Sequence, residues 1–148
     1  MKGFTVVEVL IAMVVLALAS AIAVPVYQSY VQRAKQTQAI VGIMEIEYAI
    51  NRFVSNTFQY PDDLAAIGMD TLLDPWDQPY VYLRIDGAAL KGKGKLRKDK
   101  NLNPLNTDFD LYSLGPDGDS KGALTATPSH DDIIRAGNGG FVGVADEF

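Results

Sequence analysis

At 148 residues the chain has room for one domain and an anchor. It contains no cysteine, which excludes a disulfide framework, a thiolate nucleophile and a thiolate metal site. Its net charge of -5, with a single Gly/Lys-rich stretch, excludes it from the strongly basic chains that bind nucleic acid.

The first segment carries the strongest signal. A leader of Met1-Lys2-Gly3 precedes an apolar run from Phe4 to Val26, in which Glu8 is the only charge. From Val9 to Val26 the one polar side chain is Ser20. As a helix rising about 1.5 Å per residue this stretch spans roughly 27 Å, close to the ~30 Å of a bilayer's hydrocarbon core. A charge inside such a span costs on the order of 3 kcal/mol at the membrane centre, so Glu8 demands a partner. A second reading stands beside this one. Lys2 is a minimal basic n-region and Ala17-Leu18-Ala19 an A-x-A cleavage site, as in a secretory signal peptide. That reading puts Glu8 in the h-region, where a charge is unfavourable, and stops short of a helical pattern that continues.

Beyond Pro25 the pattern becomes amphipathic. Ala39, Ile43, Ile46, Ile50 and Phe53 recur at spacings of four and three and form one apolar seam, while Glu45, Glu47, Asn51 and Arg52 fall mostly outside it. The prediction is a single helix from about Phe4 to about Val54, interrupted only where Pro25 removes a backbone hydrogen bond. Tyr27 and Tyr30, just past the proline, suit packing between helices or a membrane interface.

The rest reads as a small sheet. Asn56 to Pro61 is a turn region, and a short helical stretch follows near Asp62 to Ile67. Tyr80-Val-Tyr-Leu-Arg-Ile85 alternates and predicts a strand, with Val81, Leu83 and Ile85 on one face and Tyr80, Tyr82 and Arg84 on the other. Asp86-Gly87 opens a connection containing Lys91, Lys93, Lys95, Arg97, Lys98 and Lys100, either a solvated loop or a patch that meets the acidic tail of another subunit. Phe109 to Leu114 is a second strand, Gly115-Pro-Asp-Gly118 a turn, and Gly137-Asn-Gly-Gly140 a break before a third short strand at Phe141-Val142. The fold class is α+β, with one long helix packed on a small antiparallel sheet and a C-terminal loop.

No catalytic constellation emerges. His130, the only histidine, has no nucleophile at a usable spacing, Ser113 lies in S-L-G rather than G-x-S-x-G, and the glycines form no phosphate loop. Asp117, Asp119, Asp131 and Asp132 allow two readings, turn formers in water or a calcium cluster. They are not an EF-hand, because the twelfth position from Asp117 is Pro128.

Gly3-Phe4-Thr5-Val6-Val7-Glu8 leading into an apolar helix resembles the processing site of type IV pilins and type II secretion pseudopilins. The resemblance implies a leader of 1-3, a membrane or filament-core segment of 4-26 and a head of 27-148. It implies cleavage after Gly3 by a prepilin peptidase that methylates Phe4, pairing of Glu8 with the amino terminus of a neighbouring subunit, and a helix that can bend near Pro25. Asp74-Pro75-Trp76, Gln78-Pro79-Tyr80 and the stretch from Leu111 to Gly118 are similar to the head of the major pseudopilin, with Asp77 where a glycine is usual. For that family the resemblance implies one calcium ion, held here by Asp117 and Asp132 with Asp131 and the Leu114 carbonyl. It also implies a homopolymer in the bacterial inner membrane with its head in the periplasm, working with an assembly platform and minor subunits. A type IV pilus subunit and a secreted calcium-binding module are the alternatives. We expect the intact mass of the mature protein to match a chain beginning at N-methyl Phe4; a chain beginning at Ser20 would establish the signal-peptide reading instead.

Overall fold

A computed structural model describes residues 3–88 and 96–148. Lys2 and the Lys91, Lys93 and Lys95 part of the basic run lie outside the described residues. The chain divides into two units, residues up to Ala34 and residues 35–148.

One helix, α1, covers Val6–Thr57 and includes Pro25. In the first unit every described residue from Gly3 to Tyr30 is exposed, with large apolar side chains on all sides. Such a surface cannot rest in water and belongs in lipid or against other helices. Among the described residues α1 is the one helix long and apolar enough to cross a membrane.

In the second unit α1 has one buried stripe, formed by Ala39, Ile43, Ile46, Ala49 and Ile50. This is the predicted seam, with Phe53 half-buried at its end. The helix terminates where Phe58 enters the left-handed region at φ 57°, its N–H donating to the Val54 carbonyl at 2.8 Å. A 3-10 turn at Ala65–Ile67 follows.

Four strands form an antiparallel sheet in the order β1-β2-β3-β4: β1 Val81–Arg84, β2 Phe109–Ser113, β3 Ile133–Ala136 and β4 Phe141–Val144. Val81 pairs with Tyr112, Tyr112 with Ile134 and Ile133 with Val144. Phe109, Leu111 and Ile133 meet Ala39, Ile43, Ile46 and Ile50 of α1 in the main core, closed by Leu64 and Tyr80. The opposite face is covered too, where Ile134 and Ala136 pack with Leu105, Leu124 and Ala145. Each fully buried aliphatic side chain contributes about 1.5–3 kcal/mol, so the helix stripe and the facing strands dominate the stability of this unit.

One sequence expectation changes here, and one left open is decided. The tail Ser129 to Arg135 contains a strand, β3, so the sheet has four strands rather than three; with both faces covered, Ile133-Ile134-Arg135-Ala136 is buried throughout and shows no alternation. In β1 the tyrosine face turns toward the helix. Tyr80 and Tyr82 pack against the main core, and the Tyr82 hydroxyl donates to the Pro61 carbonyl at 2.7 Å. The Tyr80 hydroxyl donates to the Ala39 carbonyl at 3.4 Å, an approach that Gly42 permits because a Cβ there would collide with the phenol.

Arg135 points from β3 toward α1. Its Nε donates to Glu47 Oε1 at 2.8 Å, its Nη2 to Asp108 Oδ2 at 2.7 Å, and the guanidinium lies 4.0 Å from the centre of the Phe109 ring. Removing it strands two carboxylates at the edge of the core. We expect Arg135→Ala to cost about 3–5 kcal/mol in denaturant unfolding. Arg84→Ala, which breaks a pair with the 88% exposed Asp62, should cost under about 1 kcal/mol. Equal losses would show that Arg135 is no anchor.

Candidate functional site

The residues with functional signals fall into three groups, each local to one unit. The first is the amino-terminal segment. α1 begins at Val6, and Thr5 caps it: the Thr5 N–H and hydroxyl both donate to Glu8 Oε2 at 2.8 Å, and the Glu8 N–H donates to Thr5 Oγ1 at 3.2 Å. This is a reciprocal capping box, the arrangement expected of T-x-x-E at a helix start. Sequence reading treated Glu8 as a charge awaiting a partner and passed over Thr5, although the spacing carries the cap. Both side-chain bonds fall on Oε2, which leaves Oε1 to accept from a further donor. Phe4 and Gly3 are exposed immediately ahead of the cap.

The second group joins the Asp74-Pro-Trp turn to the end of β2. Asp74 is buried, and its Oδ1 accepts from the Trp76 and Gln78 N–H groups at 2.9 Å each. The Ser113 hydroxyl donates to Asp74 Oδ2 at 2.5 Å, and Ser113 Oγ accepts from the Gly115 N–H at 3.1 Å. Two sequence motifs 39 residues apart are therefore one structural unit, and Ser113 is a strut within it. Trp76 packs half-buried against the main core. Asp77 adopts φ 64°, the left-handed conformation a glycine takes without strain, so the turn keeps its glycine-like backbone with an aspartate in place.

The third group is the loop between β2 and β3. Gly115 and Gly118 turn it with φ of 68° and 70°, and at Gly115 a Cβ would strike the Asp131 backbone carbonyl. Asp132 is completely buried. Its Oδ2 accepts from Arg97 Nη2 at 2.5 Å and from the Ser120 hydroxyl at 2.6 Å. Arg97 Nη1 donates to the Lys121 carbonyl at 2.7 Å and to Ser120 Oγ, and the guanidinium stacks 4.4 Å from the centre of the Tyr112 ring. The Arg97 N–H donates to Asp110 Oδ2 at 2.8 Å, while Asn106 holds Asp110 Oδ1 at 2.9 Å. Burial pushes the Asp132 carboxyl up to about 6, against the opposing pull of Ser120 and Arg97. Arg97 thus leaves the basic run: it is buried against the acidic tail of its own chain, where a solvated loop or a contact with another subunit was expected.

The expected calcium ligands fit this geometry poorly. Asp117 is exposed and uses Oδ1 to accept the Asp119 N–H at 2.9 Å, closing its own turn. Asp131 is half-buried; burial, and then the Asp117 charge, raise its carboxyl above the ordinary range. Asp132 is bonded to a guanidinium. Among the described residues no three aspartate, glutamate, histidine or cysteine side chains converge on a possible metal position. His130 lies at the surface, its Nδ1 3.9 Å from Asp146 Oδ1, with no nucleophile beside it in the described hydrogen bonding.

The Asp77 conformation gives a direct check. Asp77→Gly should leave stability unchanged or raise it by up to about 1 kcal/mol, whereas Asp77→Val should lower it by about 1–2 kcal/mol, since only the β-branched residue is strained at positive φ. Equal effects in thermal unfolding would refute the turn assignment.

Residues 1–24 match the family described as the prokaryotic N-terminal methylation motif. The chain is 28% identical to type II secretion system core protein G of Pseudomonas aeruginosa, over 82% of this chain and 88% of that protein. It is 27% identical to the core protein G of Aeromonas hydrophila, over 80% and 85%. Fimbrial protein EcpC of Eikenella corrodens is 34% identical, but over only 46% of this chain and 44% of its own length. The chain thus carries the N-terminal methylation motif of the type IV pilins and is homologous over most of its length to type II secretion system core protein G.

Proposed function

We propose that the chain is the major pseudopilin of a type II secretion system, a filament subunit that polymerises from the bacterial inner membrane to support protein export. The observation that carries this reading is the reach of the similarity. Likeness to core protein G runs over 82% of the chain, into the head, whereas likeness to a fimbrial protein stops at 46%. The second reading, a type IV pilus subunit, rests on those shorter fimbrial matches.

The mechanism follows from the amino-terminal segment. A prepilin peptidase cuts after Gly3 and methylates Phe4, and the subunit waits in the membrane on the first part of α1 with its head in the periplasm. The ammonium of Phe4 stands one residue ahead of the Thr5 cap, at the positive end of the helix, where a carboxylate is the natural counter-charge. Glu8 Oε1 accepts that ammonium from the adjacent subunit. A pair about 4 Å apart gains ~4 kcal/mol at an effective dielectric near 20, comparable to the cost of a charge left alone in the apolar layer. Exposed apolar side chains from Val6 to Tyr30 then exchange lipid for neighbouring helices. Pro25, where the helix lacks one hydrogen bond, gives the filament a place to bend. An assembly platform and minor pseudopilins supply the extraction work.

Deleting the chain from its own cell should abolish export of secreted enzymes while leaving surface pili intact; loss of pili with normal export would establish the second reading. Glu8→Ala and Glu8→Gln separate capping from charge pairing. Glutamine keeps the capping box but not the charge, so both variants should insert in the membrane and both should fail to assemble. Normal filaments from Glu8→Gln would mean that the helix cap is all that Glu8 supplies.

A further inference from the structure

The likeness of the head to major pseudopilins implies calcium in the loop after β2, and the residues present do not fit one. We infer that Arg97 is the resident cation of this loop, standing where a divalent metal would, so that the head of this protein folds without calcium. This goes beyond the filament assignment and does not depend on which filament the chain builds.

The argument rests on what surrounds Asp132, the one expected ligand that is wholly buried. A buried carboxylate needs a cation or a full set of donors. Here the cation is a guanidinium 3% exposed, bonded to Asp132 at 2.5 Å and, through its other arm, to the Lys121 carbonyl at 2.7 Å. A carboxylate, a hydroxyl and a main-chain carbonyl around one positive centre are the donor types a hard divalent ion would collect. Arg97 collects them through N–H groups instead, and the Tyr112 ring faces its plane.

The strand-like segment that carries Arg97 is itself bound to the loop. The Lys98 N–H donates to the Gly122 carbonyl at 2.8 Å and the Leu124 N–H to the Lys98 carbonyl at 3.0 Å. Arg97 is therefore delivered by backbone pairing and not by a free side chain reaching in. Among the described residues Asp132 Oδ1 and Arg97 Nε are both buried without a hydrogen-bond partner. They are an acceptor and a donor on the two members of one ion pair, the complement that a two-bond guanidinium–carboxylate contact closes. A divalent ion on the open oxygen would sit against the positive charge already bonded to the other oxygen of Asp132.

The test uses the full chain in detergent. Wild type is melted in excess calcium and in excess chelator, and titrated with calcium chloride in a calorimeter. The two melts should superimpose, with no saturable heat. A calcium-dependent rise on the order of 10 °C, the size expected for a site filled at roughly a hundredfold its dissociation constant, would overturn the inference. In the same assay Arg97→Gln should melt on the order of 10 °C lower, with Arg97→Lys recovering only part, while the exposed-site control Lys100→Gln stays with wild type. An Arg97→Gln protein that melts with wild type also overturns it. If Arg97→Gln does not fold, the wild-type calcium and chelator melts decide alone. Export and filament assays remain independent of either result, so failure here is distinguishable from failure of the filament reading.

Discussion

Everything in the head depends on one stripe of α1. Ala39, Ile43, Ile46 and Ile50 are completely buried, and the strands that cover them, β2 and β3, are the two in the middle of the sheet. The stripe sets which face of the sheet is inward, and that choice sends Phe109, Leu111, Ile133 and Arg135 toward the helix and Asp110, Tyr112, Ile134 and Ala136 away. The outward set would be a liability if left in water. The loops between β1 and β2 and between β2 and β3 exist to cover it.

Those loops have only isolated backbone bridges, such as Lys98 with Ala123, and buried side chains add to them. Asp74 fastens the proline-rich turn to β2, Arg97 fastens the first long loop to the second, and Arg135 fastens β3 to α1. Each is a buried charge with partners at 2.5–2.9 Å among its hydrogen bonds. Arrangements of this kind are weak as sources of net stability but severe when half removed. They specify one packing of irregular chain over a sheet that would accept several.

The long helix was legible because its signals are local: an apolar span, a seam at spacings of three and four, and a break in periodicity near residue 57. β1 and β2 were legible for the same reason, with turn residues bounding each. β3 was not, because a strand covered on both faces shows neither alternation nor a helical period. Nor was the role of Arg97 read from the sequence, where it was grouped with the lysines around it although it is the one arginine of the run, the cation better suited to a buried ion pair. A signal existed in Leu96, an apolar residue beside it, which is buried in the same segment. The cap at Thr5 was written plainly as T-x-x-E and was overshadowed by the membrane cost of Glu8.

The sheet is a simple meander, and among the described residues its two outer strands, β1 and β4, are four residues long and have one partner each. In the filament proposed above, open strand edges would invite a second mode of polymerisation, by backbone pairing, that would compete with helix bundling. Short edges limit it: four residues offer too few ladder bonds to seed a continuous inter-subunit sheet. Growth of the proposed filament would thereby be biased toward side-chain contacts along α1, which can be taken apart one subunit at a time. Subunits joined by side chains can separate again, whereas subunits joined by extended strands would lock like amyloid.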